Sequence, residues 1–337
     1  MNVQYEFINC DFCSSSKFSF FAEQKDVIHK RNNITFKVLE CKNCGLKQTN
    51  PRPTKESISY FYPNKYSFHS DKFIFPFYIK RLLEKIINSI LLKKISWVFP
   101  KKINQILIKF LKPKLSDPVL LFINTKKNIG KKIRFLDVGC GSGRNTNFWG
   151  SKSSLLNLSK KINVLGIEPS VEAREILSNY KIDVLQDIRQ VKSQDKFDII
   201  RLNWSLEHVH SPNKYFAFIE NHLKEDGIAV VCVPNINGIL YRINKNALEL
   251  PVHLFHFDFN SLKNYSDKFN LKINKFTTFS YPEMYLFAEN NGLINSNYQF
   301  KNFNLLEANN FLRFHKILDD IGLGNDILLI LKKNKIN

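Results

Sequence analysis

The sequence predicts an α/β protein whose parallel sheet follows a small cysteine-containing module and a helical segment. Three observations support this fold class. From residue 133 onward, short apolar runs alternate with stretches of helical periodicity, which is typical of a parallel sheet with helices on both faces. The first apolar run ends in a glycine-rich turn, and two C-x2-C pairs stand near the N-terminus.

Seven segments have the length and apolar content of buried strands. They are residues 133–138, 164–168, 182–185, 197–202, 228–233, 271–276 and 326–331. Segments with helical periodicity separate most of these strands, so crossover helices can join the strands that they separate. We therefore expect residues 131–337 to form one α/β domain.

The first 60 residues form a separate module in this interpretation. Its two cysteine pairs, Cys10 with Cys13 and Cys41 with Cys44, are separated by 27 residues that include a strand-like run. Four thiolates at this spacing suit tetrahedral coordination of a structural zinc ion, although iron or a metal-free module stays open. The spacing favours a metal site in a reducing compartment over a disulfide framework.

Residues 61–130 form a basic, helical linker or cap. Between residues 80 and 134 the chain carries fifteen Lys and Arg against two acidic residues, which is +13 of the net +20. The amphipathic segment 77–112 permits three interpretations: a helical cap over the active site, an interfacial helix on anionic lipid, or an RNA-binding surface. The cap requires the fewest assumptions.

Composition excludes a disordered chain, because 44% of the 337 residues are hydrophobic and 13% are aromatic. The net charge of +20 permits an anionic partner but does not identify one. The N-terminus shows no signal-peptide pattern, and no apolar run approaches the roughly 18 residues of a spanning helix. We expect a cytoplasmic protein that can contact a membrane peripherally.

The glycine-rich turn has the sequence LDVGCGSG at residues 136–143, with glycines at Gly139, Gly141 and Gly143. Such a turn lets backbone approach a nucleotide-like ligand closely. The dinucleotide pattern needs a further glycine where this chain has Arg144, so NAD is disfavoured. Glu168 ends the second strand, where an acidic side chain accepts ribose hydroxyls.

Residues 131–337 resemble the class I S-adenosylmethionine-dependent methyltransferases. The glycine turn and Glu168 are followed by FDII at 197–200, LEHV at 206–209, LKEDG at 223–227 and VPN at 233–235. This series is similar to the bacterial small-molecule branch of the family. The resemblance implies a Rossmann-like, seven-stranded sheet with helices on both faces and an antiparallel last strand.

The resemblance also implies seven contacts to S-adenosylmethionine, at the carboxyl ends of the first four strands. The residues are Asp137, Gly139, Gly141, Gly143, Glu168, Asp187 and Asn203. Asp137 would lie at the methionine end, Glu168 at the ribose and Asp187 near the adenine. Without the resemblance, Asp137 could be a turn cap, Glu168 a surface acid before Pro169, and Asp187 a turn residue.

Four residues are candidates for acid–base catalysis, because a hydroxyl or carbon acceptor must lose a proton during methyl transfer. His208 is the candidate general base, since it follows the fourth strand by a few residues and histidine side chains ordinarily titrate near neutral pH. Glu207 could polarise it. His253 and His256, three residues apart after Pro251, could reach the same place. A structural role stays open for each histidine.

Three functions are consistent with these features. The first is an enzyme that methylates a small molecule, such as a sugar or lipid-linked saccharide of surface-polysaccharide assembly. A zinc-ribbon-like module before the domain also resembles the deoxysugar C-methyltransferases. The second is an RNA methyltransferase that binds its acceptor through the zinc module and the basic helices, and the third is a non-catalytic cofactor-binding module.

Overall fold

The computed structural model describes residues 3–26, 34–62, 118–119, 122, 132–143, 162–179, 182–243, 248–280 and 305–334. The basic helices predicted at 77–112, and the use of that segment as a cap, membrane contact or RNA surface, lie outside the described residues.

The N-terminal module is built from short strands. They are β1 (Tyr5–Glu6), β2 (Phe18–Lys25), β3 (Thr35–Cys41), β4 (Lys47–Thr49) and β5 (Arg52–Pro53). β2, β3 and β4 pair antiparallel, and β1 pairs with β5. Inward positions of β3 such as Phe36 and Val38 are buried, as expected for an alternating strand with one covered face.

The remaining strands lie in the C-terminal part of the chain. They are β6 (Ile133–Val138), β7 (Ile162–Ile167), β8 (Asp183–Leu185), β9 (Phe197–Asn203), β10 (Leu223–Pro234), β11 (Phe255–His256), β12 (Leu271–Phe279) and β13 (Asp326–Lys333). All except β11 form one seven-stranded sheet in the order β12-β13-β10-β9-β6-β7-β8.

The topology confirms the predicted fold class. β8, β7, β6, β9 and β10 run parallel, while β13 is antiparallel to both of its neighbours. The predicted strands agree with the observed ones except at a few ends. β10 begins at Leu223, five residues before the predicted 228, because the LKEDG segment joins the sheet through an irregular register between Leu223 and Ile228.

Helices connect the strands and cover the sheet. They are α1 (Val171–Asn179), α2 (Pro212–His222), α3 (Ile239–Ile243), α4 (Phe259–Lys268) and α5 (Leu305–Asp320). α2 begins with Pro212, whose fixed φ suits the first helical position. Asp258 caps α4, because its carboxylate accepts the backbone N–H of Ser261. None of the helices among the described residues is long and apolar enough to cross a membrane.

One apolar core joins the two parts of the molecule. Cys10, Cys41 and Leu46 of the module belong to the same buried cluster as Leu136 and Leu254. The small antiparallel sheet is completed by β11, which pairs with β4 through Phe255 and Gln48. The module therefore packs directly on the large domain.

A buried ion pair connects the two central strands of the sheet. Asp137 and Arg201 are register partners on β6 and β9, and the guanidinium donates to both carboxylate oxygens, from Nε at 2.8 Å and from Nη2 at 2.6 Å. The side chains are only 3% and 10% exposed. The guanidinium also lies 5.1 Å from the ring centre of Phe135.

We expect Arg201→Met to lower the free energy of unfolding by about 3–5 kcal/mol, because it leaves the Asp137 carboxylate buried without its cation. Urea denaturation measures the change. The double variant Asp137→Asn/Arg201→Met should lose less than the single variant. Lys333→Met is the matched control, since it breaks a pair with a Glu225 side chain that is 73% exposed and should cost under about 1 kcal/mol. Equal losses of unfolding free energy in Arg201→Met and Lys333→Met would contradict the expectation.

Candidate active site and cysteine cluster

The glycine turn lies at the carboxyl end of β6 and needs glycine for conformational reasons. Gly139, Gly141 and Gly143 have φ values of +71°, +56° and +83°, a region that other residues adopt at a cost. A Cβ on Gly139 would also lie 2.4 Å from the Cβ of Ser205. The turn is thus held closely against the loop that follows β9.

Glu168 connects the end of β7 to the glycine turn. Its Oε2 accepts the backbone N–H of Gly141 at 2.8 Å, and its Oε1 accepts the N–H of Ser170 at 2.9 Å. The residue is 5% exposed. The carboxylate therefore lies against the turn, at the edge where parallel α/β sheets bind ligands.

Asp137 and Asn203 lie at the same edge. The Asp137 carboxylate faces Arg201, a partner that the sequence analysis did not anticipate. A basic residue inside the apolar run 197–202 was the available signal, because a buried cation requires a buried anion nearby. Asn203 ends β9 and is half-buried. Contact of either residue with a cofactor stays a prediction.

Asp187 follows β8 and forms several local contacts. Its side chain caps the 3₁₀ turn Ile188–Gln190 and pairs with Arg189 and, at 3.1 Å, with Lys55 of the N-terminal module. The Arg189 guanidinium holds the pKa of Asp187 well below its ordinary value. The contacts of Asp187 are therefore those of a turn residue, and its place near the adenine of the cofactor stays a prediction.

The loop after β9 brings Glu207 and His208 together with His253. Trp204 turns the chain with a φ of +51°, and the 3₁₀ turn Leu206–His208 follows. His208 Nε2 lies 3.9 Å from Glu207 Oε1, and the rings of His208 and His253 meet edge to face at a centroid distance of 4.7 Å. Three of the four predicted acid–base residues thus share one cluster.

The other ring nitrogen of His208 is held by two oxygens. Nδ1 lies 3.0 Å from the carbonyl oxygen of Val252 and 3.1 Å from the Tyr62 hydroxyl. A carbonyl oxygen only accepts, so Nδ1 carries the hydrogen and Nε2 is the basic atom of the neutral ring. Tyr62 comes from the N-terminal segment and was not a predicted site residue.

Glu207 is buried beside these rings. It is 1% exposed, and neither carboxylate oxygen has a hydrogen-bond partner among the described residues. Burial raises the pKa of Glu207 well above its ordinary value. A carboxyl group in this position requires a proton or a cation.

Two further carboxyl groups lie near the cluster, and neither is among the residues predicted from the sequence. Glu249 Oε2 lies 3.6 Å from His253 Nε2, and burial raises the pKa of Glu249 to about 7. Asp326 is fully buried, accepts the Trp204 indole N–H at 2.9 Å, and has a pKa raised by burial to about 8. Asp326 ends the GLGND segment at 322–326 and Glu249 stands four residues before His253, but neither position shows from sequence alone that its carboxyl group lies beside the cluster.

His256 has different surroundings. It lines a small cavity with His253 and Tyr241, and its Nε2 lies 3.2 Å from the hydroxyl of Thr49 in the small sheet. Burial lowers the pKa of His256 to about 3. The contact with Thr49 favours a structural role in joining β11 to the module.

The four module cysteines form a compact cluster on two similar turns. In each turn the first cysteine carbonyl accepts the N–H of the fourth following residue, Ser14 or Gly45, at 2.8 Å. Those two residues both have positive φ values. The Sγ atoms of Cys10 and Cys44 are 3.4 Å apart, and all four lie within 4.8 Å of one another. Four sulfurs around zinc would be about 3.8 Å apart, so the set fits a tetrahedral ion.

The cysteine module contacts the large domain through charged and polar groups as well. Asp11 accepts the Tyr265 hydroxyl and the Asn213 backbone N–H, both at 2.9 Å. Lys268 donates to the carbonyl oxygen of Phe12 at 2.8 Å. The first cysteine turn thus rests on α2 and α4 of the large domain.

Fold and sequence features together define the class of protein: a Rossmann-like α/β domain with a glycine turn after the first strand of the large sheet and an acid after the second. The family model described as "Methyltransferase domain" matches residues 107–275. The chain belongs to this family, the class I S-adenosylmethionine-dependent methyltransferases.

Individual relatives are distant. An O-methyltransferase of ubiquinone biosynthesis from Glaesserella parasuis is 28% identical over 131 residues, which are 37% of this chain and 55% of that protein. The chain thus spans about half the length of this curated relative.

Two solved structures are similar in fold. A methyltransferase of Clostridium acetobutylicum is 15% identical with a TM-score of 0.39, covering 74% of this chain and 99% of that one. A methyltransferase of Archaeoglobus fulgidus is 17% identical with a TM-score of 0.41, covering 65% and 95%.

Proposed function

We propose that the protein transfers a methyl group from S-adenosylmethionine to a small molecule. The observation that carries this proposal is the geometry at the carboxyl edge of the sheet. A glycine turn bonded to Glu168 follows β6 and β7, and the cluster of Glu207, His208 and His253 follows β9. The proposed cofactor contacts and the candidate base would therefore lie at the same edge.

The residues of the glycine turn fit the cofactor. The positive φ values at Gly139 and Gly141 favour glycine, so the turn has no side chains there, and the Glu168 carboxylate would accept hydrogen bonds from ribose hydroxyls. S-adenosylmethionine supplies an electrophilic methyl group when bound. The chain itself would orient the acceptor in line with that group, which is the larger part of catalysis in such displacements.

His208 is the candidate general base for an acceptor that must lose a proton. The Val252 carbonyl fixes the ring so that Nε2 keeps its lone pair. Glu207 and His253 lie beside that atom and can adjust its basicity. The neutral tautomer is the form that a base needs before reaction.

A small-molecule acceptor agrees with the name of the curated relative, an O-methyltransferase of ubiquinone biosynthesis. We extend the proposal to a sugar or lipid-linked saccharide, which the resemblance of the module and domain to deoxysugar methyltransferases supports. The contacts of Asp11 and Lys268 with the large domain favour a structural module over an RNA-binding one. A cytoplasmic location with peripheral membrane contact through 77–112 is part of the same proposal.

The direct test is transfer of label. The purified protein is incubated with methyl-labelled S-adenosylmethionine and an extract of its host cell, and label is counted in small-molecule, lipid and RNA fractions. We expect label in the small-molecule or lipid fraction, and His208→Ala should lower it by roughly 10²–10⁴-fold, the usual contribution of a general base. Label confined to RNA, or present in no fraction, would contradict the proposed function.

Cofactor binding is tested separately at Glu168. Glu168→Ala removes one or two charge-assisted hydrogen bonds of about 1.5–3 kcal/mol each, so calorimetry should find S-adenosylmethionine binding weakened by at least about tenfold. Glu172→Ala is the matched control, because this nearby acid is exposed on α1 and accepts a hydrogen bond from the Ser170 hydroxyl outside the glycine turn. Unchanged affinity in Glu168→Ala would refute the ribose assignment.

We also propose that Cys10, Cys13, Cys41 and Cys44 hold one structural zinc ion. Metal analysis of purified Cys10→Ser should find the thiolate-bound zinc lost, together with a lower melting temperature, because structural zinc contributes folding energy. Cys140→Ser is the control, since Cys140 lies in the glycine turn outside the cluster. Equal zinc in both variants would remove the assignment.

A further inference from the structure

We propose that Glu207, His208 and His253 form a second metal site, which binds a first-row divalent cation through two imidazoles and one carboxylate. This site is distinct from the cysteine cluster. It lies in the large domain, on the loop after β9 and on the segment before β11.

The ligand atoms already converge. One ring nitrogen from each histidine and one carboxylate oxygen of Glu207 lie within 4.8 Å of one another. Ligands about 2.0–2.2 Å from a tetrahedral ion are roughly 3.4 Å apart. The observed separation of 3.9 Å between His208 Nε2 and Glu207 Oε1 therefore needs only a small closure.

The hydrogen bonds of His208 favour this role. Metal-bound histidines commonly donate the opposite ring N–H to a backbone carbonyl, which fixes the ring and directs its lone pair at the ion. His208 has this arrangement, because Nδ1 bonds to the Val252 carbonyl oxygen while Nε2 faces Glu207. The ring is thus oriented before any ion arrives.

Glu207 supplies an independent observation. It is 1% exposed, and both oxygens lack hydrogen-bond partners among the described residues. Asp326 Oδ2 is also unpartnered there, and Glu249 lies beside His253. In the described part of the chain, no Lys or Arg forms an ion pair with any of these three acids. A bound cation would compensate the two buried carboxyl groups of Glu207 and Asp326 and the partly exposed one of Glu249.

The donor set selects the kind of ion. Imidazole nitrogens with a carboxylate suit zinc, iron, cobalt or manganese better than calcium, which prefers an all-oxygen shell. Three protein ligands leave coordination positions open. The single lone pair of His208 Nε2 can bind an ion or accept a proton but not both, so the general-base role proposed above belongs to the metal-free protein.

The test uses the full chain with zinc retained in its cysteine cluster, and no S-adenosylmethionine. The protein is titrated with Co²⁺ and followed by calorimetry and visible absorption. We expect one equivalent of Co²⁺ with a nitrogen and oxygen ligand spectrum that lacks thiolate charge transfer. Glu207→Gln and His253→Gln should each weaken binding by at least about 100-fold, the upper range for losing even an indirect partner of a metal ligand.

Glu225→Gln is the matched control, because this acid is 73% exposed and lies near the start of β10, at the end of the strands opposite to the loop after β9. The affinity of this variant for Co²⁺ should equal that of the unaltered protein. Retained cysteine-bound zinc shows that each variant is folded. Absence of Co²⁺ binding outside the thiolates, or unchanged affinity in both cluster variants, would overturn the proposal. Because Co²⁺ binding is measured without methyl transfer, failure of the metal site and failure of the proposed function are distinguishable.

Discussion

The parallel alignment of β6, β7 and β9 is the constraint on which the candidate site depends. Parallel neighbours end at a common edge, so the glycine turn after β6, Glu168 after β7 and the Glu207 loop after β9 are brought together by register alone. The Asp137–Arg201 pair joins two of these strands inside the sheet. Loss of register would separate groups that are distant in sequence.

The middle of the sheet could be predicted from the sequence because strands such as β6, β9 and β13 are buried on both faces and therefore appear as continuous apolar runs. The turn and Glu168 were also recognisable, since their roles depend on local backbone geometry and spacing. β10 was predicted five residues short, because the charged LKEDG segment does not resemble a strand and joins the sheet only through pairing with β9.

The surroundings of the acid–base cluster could not be predicted in the same way. Tyr62, Glu249 and Asp326 reach His208, His253 and Trp204 through contacts that the fold creates, two of them across long separations in sequence. No local pattern marks such residues, because their significance arises from burial and from the charges that burial brings together. The sequence therefore indicates which residues can act, whereas the groups that set their protonation are brought to them only by the fold.

The pairing of β4 with β11 couples the unfolding of the cysteine module to that of the large domain. β11 begins two residues after His253, and the Thr49 hydroxyl donates to the carbonyl oxygen of His253 at 2.7 Å. The cysteine module and the large domain thus share a sheet, a core and the backbone next to the cluster. An excised large domain would present Phe255 and His256 as an unpaired sheet edge. The two parts should therefore unfold as one cooperative unit, and replacing either part with that of another protein should destabilise both.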